Sequence, residues 1–518
     1  MTHVDVPEWF NAAWYCVDRN IAEGRGKNVA ILCGERVITY QEMSDCVNQT
    51  GHALRTLGVE MENRVLLLLP DCPELAYCFF GAMKIGAVPV PVNTLLTAQD
   101  YRKLLQDSRA KVLVVSDVLY DTIEPILGEL EYVRGVLVVG DVPGQLQFDE
   151  LIAVQESALE PARTHRDDAA FWLYTSGTTG LTRAAIHLHH DLVYCVEHYF
   201  KGVLGIHEGD RTFSIAKLFF AYGLGNALYA PFAVGASTVL YPGRPQPEAV
   251  FDVVDRFRPS LFFGVPTAYA GMLHAAERGA TSHMSSVRLA VSAGESLPPS
   301  IYERWLERFG VEILDGIGST EVLHIFISNR AGAVRPGSTG TVVPGYEARV
   351  LDPNGESVPV GEVGSLTVKG DSTCAAYWNR HEMTKRTIVG EWIRTGDQYR
   401  VDEEGYYWYA GRSDDMLKVS GIWVSPVEVE SAIMEHSAVL ECAVVAHEDD
   451  DGLVKPRAFI VLKDRAAVSD DLAMTIQRFV KESIAPYKYP RWIEFVDELP
   501  KTATGKIQRF KLREGQVP

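Results

Sequence analysis

Between Val29 and Gly140, short apolar runs alternate with segments of helical spacing. Val65-Leu66-Leu67-Leu68-Leu69 is aliphatic throughout, which suits a strand covered on both faces. Pro73 to Ile85 reads as the helix after it and Val88 to Val92 as a short strand. Thr97 with Asp100 opens a further helix in capping-box style. Lys111 to Val115 and Gly135 to Val139 follow as strands, and this alternation predicts a mostly parallel α/β sheet. The rhythm returns at Ser260–Gly264, Leu289–Ala293 and Val311–Leu314, each run ending in a polar or Gly-rich turn. Ligands of open α/β sheets sit beyond the C-terminal strand ends, so chemistry is expected at these turns.

From Thr341 the strands shorten and the turns tighten, as at Asp352-Pro353-Asn354-Gly355, which predicts an antiparallel subdomain. A compact mixed unit is predicted beyond Gly411. It has helices at Pro426–His436 and Asp470–Ile484 and strands at Val439–Ala446 and Arg457–Leu462. The fold expected is α/β: a large N-terminal domain (1–411) of mostly parallel sheets with a small β-rich subdomain, then a small mobile α+β C-terminal domain (412–518). The boundary falls at the Gly-Arg-Ser-Asp-Asp turn.

A chain of 518 residues is too long for one core, in keeping with that division. The net charge of −19 argues against nucleic-acid binding and against docking on anionic lipid, but leaves a local phosphate site open. The eight cysteines are scattered, with no CxxC pair and no zinc spacing, so buried free thiols in a reducing cytoplasm are expected. Asp5 and Glu8 are out of place in a signal peptide. The longest apolar stretch, Leu75 to Val92, is broken by Lys84, Gly86, Pro89 and Pro91 and is no membrane span.

The densest chemistry follows the run Ala169-Ala170-Phe171-Trp172-Leu173. Tyr174-Thr175-Ser176-Gly177-Thr178-Thr179-Gly180 places hydroxyls and glycines where a strand would end. Glycine lets backbone approach an anion, and hydroxyls with free N–H groups can wrap phosphate oxygens. No Gly-Lys-Ser/Thr closes the loop, so it is not the common ATPase loop. For such a composition alone, a plain surface loop is the commoner use.

Further strings occur downstream in a fixed order: Asp315-Gly316-Ile317-Gly318-Ser319-Thr320-Glu321, Arg394-Thr395-Gly396-Asp397, Gly411 through Gly421, and Pro500-Lys501-Thr502-Ala503-Thr504-Gly505-Lys506-Ile507. With the first loop, this set resembles the adenylate-forming enzymes: acyl- and aryl-CoA ligases, peptide-synthetase adenylation domains and luciferases. The strings Lys217–Asn226, Gly318–Phe326 and Leu417–Pro426 look like the benzoate-CoA ligase branch. One departure is visible. The family usually continues Xaa-Pro-Lys-Gly after Gly180, whereas this chain reads Leu181-Thr182-Arg183-Ala184, so ATP affinity or loop closure is expected to differ.

The resemblance implies an acid–thiol ligase with ATP, Mg²⁺ and coenzyme A as cofactor and co-substrates and a small aromatic acid as partner. Thr175, Ser176, Gly177, Thr178, Thr179 and Gly180 would hold the β- and γ-phosphates, and Thr320 the α-phosphate. Glu321 would hold Mg²⁺, and Asp397 the ribose hydroxyls, with Arg412 nearby. Gly294, Glu295 and Ser296, with Asp315, Gly316 and Ile317, would line the adenine. The acid slot would comprise Phe220, Ala221, Tyr222, Gly318, His324 and Ile325. Lys506 would serve acyl-AMP formation. The small domain would turn about Asp414 to bring Lys418, Ser420 and Gly421 to the site for thioester formation, Gly421 leaving room for pantetheine. Several of these residues have commoner uses: an Asp after Thr-Gly as a turn residue, a His between Leu323 and Ile325 as core, a lysine near a terminus as solvated tail. Two alternatives stand beside the ligase: an adenylating enzyme for another acid or a carrier-protein acceptor, and a catalytically silent nucleotide-binding relative. The oligomeric state, a homodimer among the options, is not set by the sequence.

Overall fold

The computed structural model describes residues 4–176, 182–280, 284–412, 415–419, 422–449, 453–465, 468–485, 488–501 and 507–515. Among these, the largest sheet has nine strands. Its middle is parallel, in the order Ile313–Gly318, Leu289–Ser292, Leu261–Gly264, Arg211–Ser214, Ser237–Val239, Val29–Cys33. Antiparallel strands finish both edges: Ile325–Ser328 and Thr341–Val342 on one side, Arg36–Thr39 on the other. A second sheet is parallel throughout, in the order Val88–Pro91, Arg64–Leu68, Val112–Ser116, Gly135–Val139, Leu146–Gln147. The central strands of both sheets are buried on both faces, which is why Arg64–Leu68, Val112–Ser116, Leu261–Gly264 and Leu289–Ser292 read as mostly apolar runs rather than alternating ones.

The helices form where the pattern predicts them. Pro73–Lys84 starts with proline at its first turn, where a missing N–H costs nothing, and is buried along its whole length. Ala98–Ser108 is capped by Thr97, with the reciprocal bond from Asp100. Helix Pro299–Phe309 buries Trp305, which packs edge-on against Tyr269 at 4.7 Å between ring centroids. Truncating a buried aromatic of this kind costs about 3–5 kcal/mol.

Two antiparallel units complete the chain before the last segment. The hairpin Ala169–Ser176/Thr182–Leu188 is extended by Ala376–Tyr377 into a three-stranded sheet. Five further strands form the predicted β-rich part, in which Trp392–Val401 pairs with both Gly364–Lys369 and Tyr407–Arg412. The final segment packs helices Pro426–Met434 and Asp470–Ser483 on the sheet Val439–Glu448/Val454–Leu462/Trp492–Phe495, with its own apolar cluster around Val429, Ile433, Val444 and Ile460. Such a cluster is what a separately folding unit needs.

One element differs from expectation. The strand expected at Val311–Leu314 begins at Ile313 and runs on to Gly318, through the string expected to be a turn. Antiparallel pairing of Gly316 to Ser328, Ile317 to Ile327 and Gly318 to Ile325 holds it extended. A Cβ on Gly318 would lie 2.7 Å from the His324 carbonyl oxygen, so glycine is required by the closeness of the returning strand. All eight cysteines are free, and all but Cys46 are buried. Among the described residues, no helix is long and apolar enough to cross a membrane.

Candidate active site

The parallel register aligns the C-terminal ends of Leu261–Gly264, Leu289–Ser292 and Ile313–Gly318. Three expected groups leave the sheet there: the turn with Gly294, Glu295 and Ser296, then Asp315, then Thr320 and Glu321. Gly294 has φ +94°, a conformation that L side chains rarely adopt. Asp315 stands opposite Ser292 in the register and is buried. Its Oδ2 faces the Leu297 N–H at 3.5 Å, and its Oδ1 has no hydrogen-bond partner among the described residues. Burial pushes its carboxyl up to about 8, against the smaller downward pull of the Ser292 hydroxyl and neighbouring N–H groups.

Past the strand end, Thr320–Val322 forms one tight turn, and Leu323 takes φ +71°, unusual for a branched side chain. Glu321 is buried, and its Oε1 accepts from the Tyr377 hydroxyl at 2.6 Å and from Arg183 Nη2 at 3.2 Å. Arg183 also lies over the Tyr377 ring at 4.7 Å and donates to Met383 Sδ at 3.3 Å. Thr182-Arg183-Ala184 is regular strand: Thr182 pairs with Ser176, Arg183 with Thr175 and Ala184 with Tyr174. Ala184 is buried and its carbonyl accepts from the Trp378 N–H at 2.9 Å, so the absence of glycine costs nothing in this extended backbone.

Asp397 and Arg412 are paired in register across adjacent antiparallel strands, and Arg412 Nη1 donates to Asp397 Oδ1 at 2.9 Å. Burial works to lower the Arg412 pKa, but Asp397, Tyr409 and Glu321 outweigh it and leave it raised. Gly396 turns at φ +78° so that Asp397 can return toward Thr395, whose hydroxyl accepts its N–H.

The expected acid slot gathers as follows. Phe220 precedes the short helix Ala221–Leu224, which places Ala221 and Tyr222 in its first turn. The Tyr222 hydroxyl donates to the Val291 carbonyl at 3.1 Å, with the Gly264 carbonyl 3.2 Å away, which ties this turn to two strand ends. His324 is buried against Tyr222, Phe200 and Tyr199, and its Nε2 lies 3.1 Å from Asn226 Oδ1. Burial lowers its pKa to about 3, so the ring is neutral at physiological pH. A Cβ on Gly225 would meet the His324 ring at 2.5 Å. Ile325 pairs with Gly318 and is buried.

Gly177, Thr178, Thr179, Gly180, Asp414, Ser420, Gly421 and Lys506 lie outside the described residues, and only the backbone of Ser176 and Lys418 is described. Thr175 is the penultimate residue of the first strand of the hairpin, and Lys418 sits on Leu417–Val419, opposite Trp423. Ile507, next to Lys506, donates its N–H to Glu295 Oε1 at 3.0 Å, a contact between the last segment and the turn at the sheet edge.

Three site groups escape the sequence reading: His187, Tyr377 and Asn226. For His187 a faint signal exists, an ionisable residue inside a largely apolar strand with Asp191 four positions on. Tyr377 has none, because it meets Glu321 across 56 residues of chain.

The AMP-binding enzyme family matches residues 18–378, and the AMP-binding enzyme C-terminal domain matches residues 428–506. The chain belongs to the AMP-binding enzyme family. Within that family it is 50% identical, over 98% of its length and 97% of the relative's, to a benzoate–CoA ligase of Thauera aromatica. A solved anthranilate CoA ligase in complex with anthranoyl-AMP superposes with a TM-score of 0.96 at 45% identity, covering 99% of this chain and 98% of the other. A benzoate CoA ligase from Burkholderia xenovorans LB400 gives 0.91 at 48% identity, covering 97% and 100%. The α/β architecture with its small C-terminal unit is thus the architecture of AMP-binding ligases.

Proposed function

We propose that this chain is an AMP-forming aryl-CoA ligase. It activates benzoate or a close aromatic acid as the acyl-AMP, releasing pyrophosphate, and then passes the acyl group to coenzyme A. The observation that carries this reading is likeness along nearly the whole chain to a benzoate–CoA ligase, combined with the neutral, aromatic-walled setting of His324 beside Gly318.

A carboxylate is a poor acyl donor because oxide leaves badly, and joining it to AMP supplies a good leaving group. Two anions have to be brought together while charge grows on the α-phosphate, so positioning and electrostatics carry the step. In the proposed site Thr175 to Gly180 holds the β- and γ-phosphates, Thr320 bonds the α-phosphate, Asp397 accepts from the ribose hydroxyls, and Asp315 with Gly294–Ser296, Gly316 and Ile317 lines the adenine. Glu321 would hold Mg²⁺ through a carboxylate oxygen, which suits a hard cation, and the ion would supply neutralisation of developing phosphate charge. Phe220, Ala221, Tyr222, Gly318, His324 and Ile325 shape the acid slot. Burying a ring's apolar surface there at roughly 25 cal/mol per Å² favours an aromatic acid over acetate by a few kcal/mol. Lys506 assists adenylation. The domain boundary at Arg412–Asp415, with Asp414 as hinge and Lys418, Ser420 and Gly421 on the thioester-forming face, belongs to the same reading.

Pyrophosphate release over a panel of aryl, alicyclic and fatty acids, with and without CoA, tests it. Release with benzoates and thioester formation with CoA are expected. Release without any thioester would move the acceptor to a carrier protein, and faster turnover of medium-chain fatty acids than of benzoate would sink the aromatic assignment.

A further inference from the structure

Three consecutive carbonyls in the turn that carries Thr320 and Glu321 are each held by a different donor. The Ser372 hydroxyl donates to the Val322 carbonyl at 2.8 Å and the Cys374 N–H to that of Glu321 at 2.7 Å. The Thr320 carbonyl is met by His187 Nε2 at 2.7 Å, the shorter of its two contacts, and accepts the turn's own Leu323 N–H at 3.3 Å. His187 is fully buried on the strand that follows the phosphate loop, and its ring stacks on Phe171 at 5.3 Å. Its Nδ1 lies 2.8 Å from Oδ2 of Asp191, which is also fully buried and accepts the Leu188 N–H as well. A proton between Nδ1 and Asp191 Oδ2 leaves Nε2 to donate its own to the Thr320 carbonyl, so Asp191 sets which way the ring works.

A buried His–Asp pair is seldom the cheapest way to fill a core, since two apolar side chains of similar volume serve as well or better. What this pair adds is direction. Fixing the Thr320 carbonyl fixes the peptide plane between Thr320 and Glu321, and so the origin of both the hydroxyl and the carboxylate.

We propose that His187, held by Asp191, is a positioning residue for acyl-AMP formation, acting through the Thr320–Glu321 peptide. The proposal rests on the roles given above to Thr320 and Glu321. It ties the strand leaving the phosphate loop to the turn at the sheet edge, so that the two halves of a triphosphate site keep their spacing.

Two substitutions separate the contacts of the ring. In His187→Asn the amide nitrogen replaces Nδ1, keeping Asp191 and releasing Thr320. In His187→Gln it replaces Nε2, keeping Thr320 and removing the ring from Asp191, which keeps the Leu188 N–H and lies 3.2 Å from His190 Nε2. The expected order in activity is therefore the reverse of the order in stability. His187→Asn should melt nearer to wild type yet lose about a hundredfold in kcat for benzoate-dependent pyrophosphate release, the scale of a misplaced reacting group, with the KM for benzoate unchanged. His187→Gln should melt lower and recover most of the rate. If His187→Gln does not fold, Asp191→Asn takes its place. That variant loses the carboxylate that orients the ring, and it should lose kcat as His187→Asn does. A folded His187→Asn with wild-type kcat, or rates that follow melting temperature across the variants, would overturn the proposal. A wild-type enzyme silent toward every aryl acid would instead overturn the ligase reading, and this inference with it.

Discussion

Arg183 and Glu321, 138 residues apart in sequence, meet at 3.2 Å between Nη2 and Oε1. Their side chains are mostly buried, and Tyr377 closes the group from the other side. The arginine stands where the resemblance leads to an expected lysine, and its fork reaches Glu321 through Nη2 and Met383 through Nη1.

Arg183→Ala should raise the KM for Mg·ATP by about tenfold, the weight of a partly buried charge-assisted contact. Arg183→Lys should raise it less, and the KM for benzoate should stay the same in both. Initial rates at varied ATP and fixed acid provide the check; equal effects on both substrates would place Arg183 in general folding rather than at the nucleotide.

Lys506 is expected to serve the first half-reaction only. A compact charge on a long stem can reach both the acid oxygen and the α-phosphate side, and its contact strengthens as charge builds. Lys506→Ala should lower acyl-AMP formation by roughly 10²–10³, about 3–4 kcal/mol, yet convert supplied benzoyl-AMP and CoA at near wild-type rate. Lys501, paired with Glu441 at 2.6 Å, and Lys511 are controls whose alanine variants should do neither. Loss of both half-reactions alike in Lys506→Ala would refute the assignment.

His324 packs on Tyr222 and bonds Asn226 as a neutral ring, so it acts by shape and polarity rather than by charge. His324→Ala should reorder preference among ortho- and para-substituted benzoates while leaving the KM for ATP nearly constant. An unchanged ranking in competition assays returns His324 to the core.

Asp315 links stability to pH. Its carboxyl is raised by burial from 3.8 to about 8 in the folded chain, so the folded state holds a proton that the unfolded state has released. Stability must therefore fall as pH rises between those values. Asp315→Asn removes this slope: without nucleotide, its Tm relative to wild type should be higher at about pH 8 than at about pH 5. The same Tm difference at both pH values would show that the carboxyl does not hold its proton.

Asp414 is the proposed hinge, where a few residues absorb the φ/ψ change of domain rotation. Asp414→Pro fixes φ near −65° and should depress one half-reaction far more than the other. Separate assays of acyl-AMP formation and thioester formation decide it, and equal loss in both would move the hinge elsewhere.

Local pattern alone determines much of this protein. Strands buried on both faces are mostly apolar along their length, so Val65–Leu69, Leu261–Gly264 and Leu289–Ser292 announce themselves, and Thr97 with Asp100 marks a helix start because the capping bonds span only three residues. The glycines and hydroxyls of Tyr174–Gly180 and Asp315–Glu321 are likewise visible as residue types that allow close backbone approach to an anion, which makes them candidates for the proposed nucleotide site. Contacts between distant segments are different, since no spacing along the chain encodes them. The continuation of Ile313–Gly318 as strand depends on Ile325–Ser328 folding back upon it. The meeting of Arg183 and Tyr377 on Glu321, the seat of Tyr222 on Val291, and the bond from His187 to Thr320 all arise only once the sheets and the hairpin have packed. Sequence thus settles which chemical groups are available, and tertiary packing decides which of them face each other at hydrogen-bond distance.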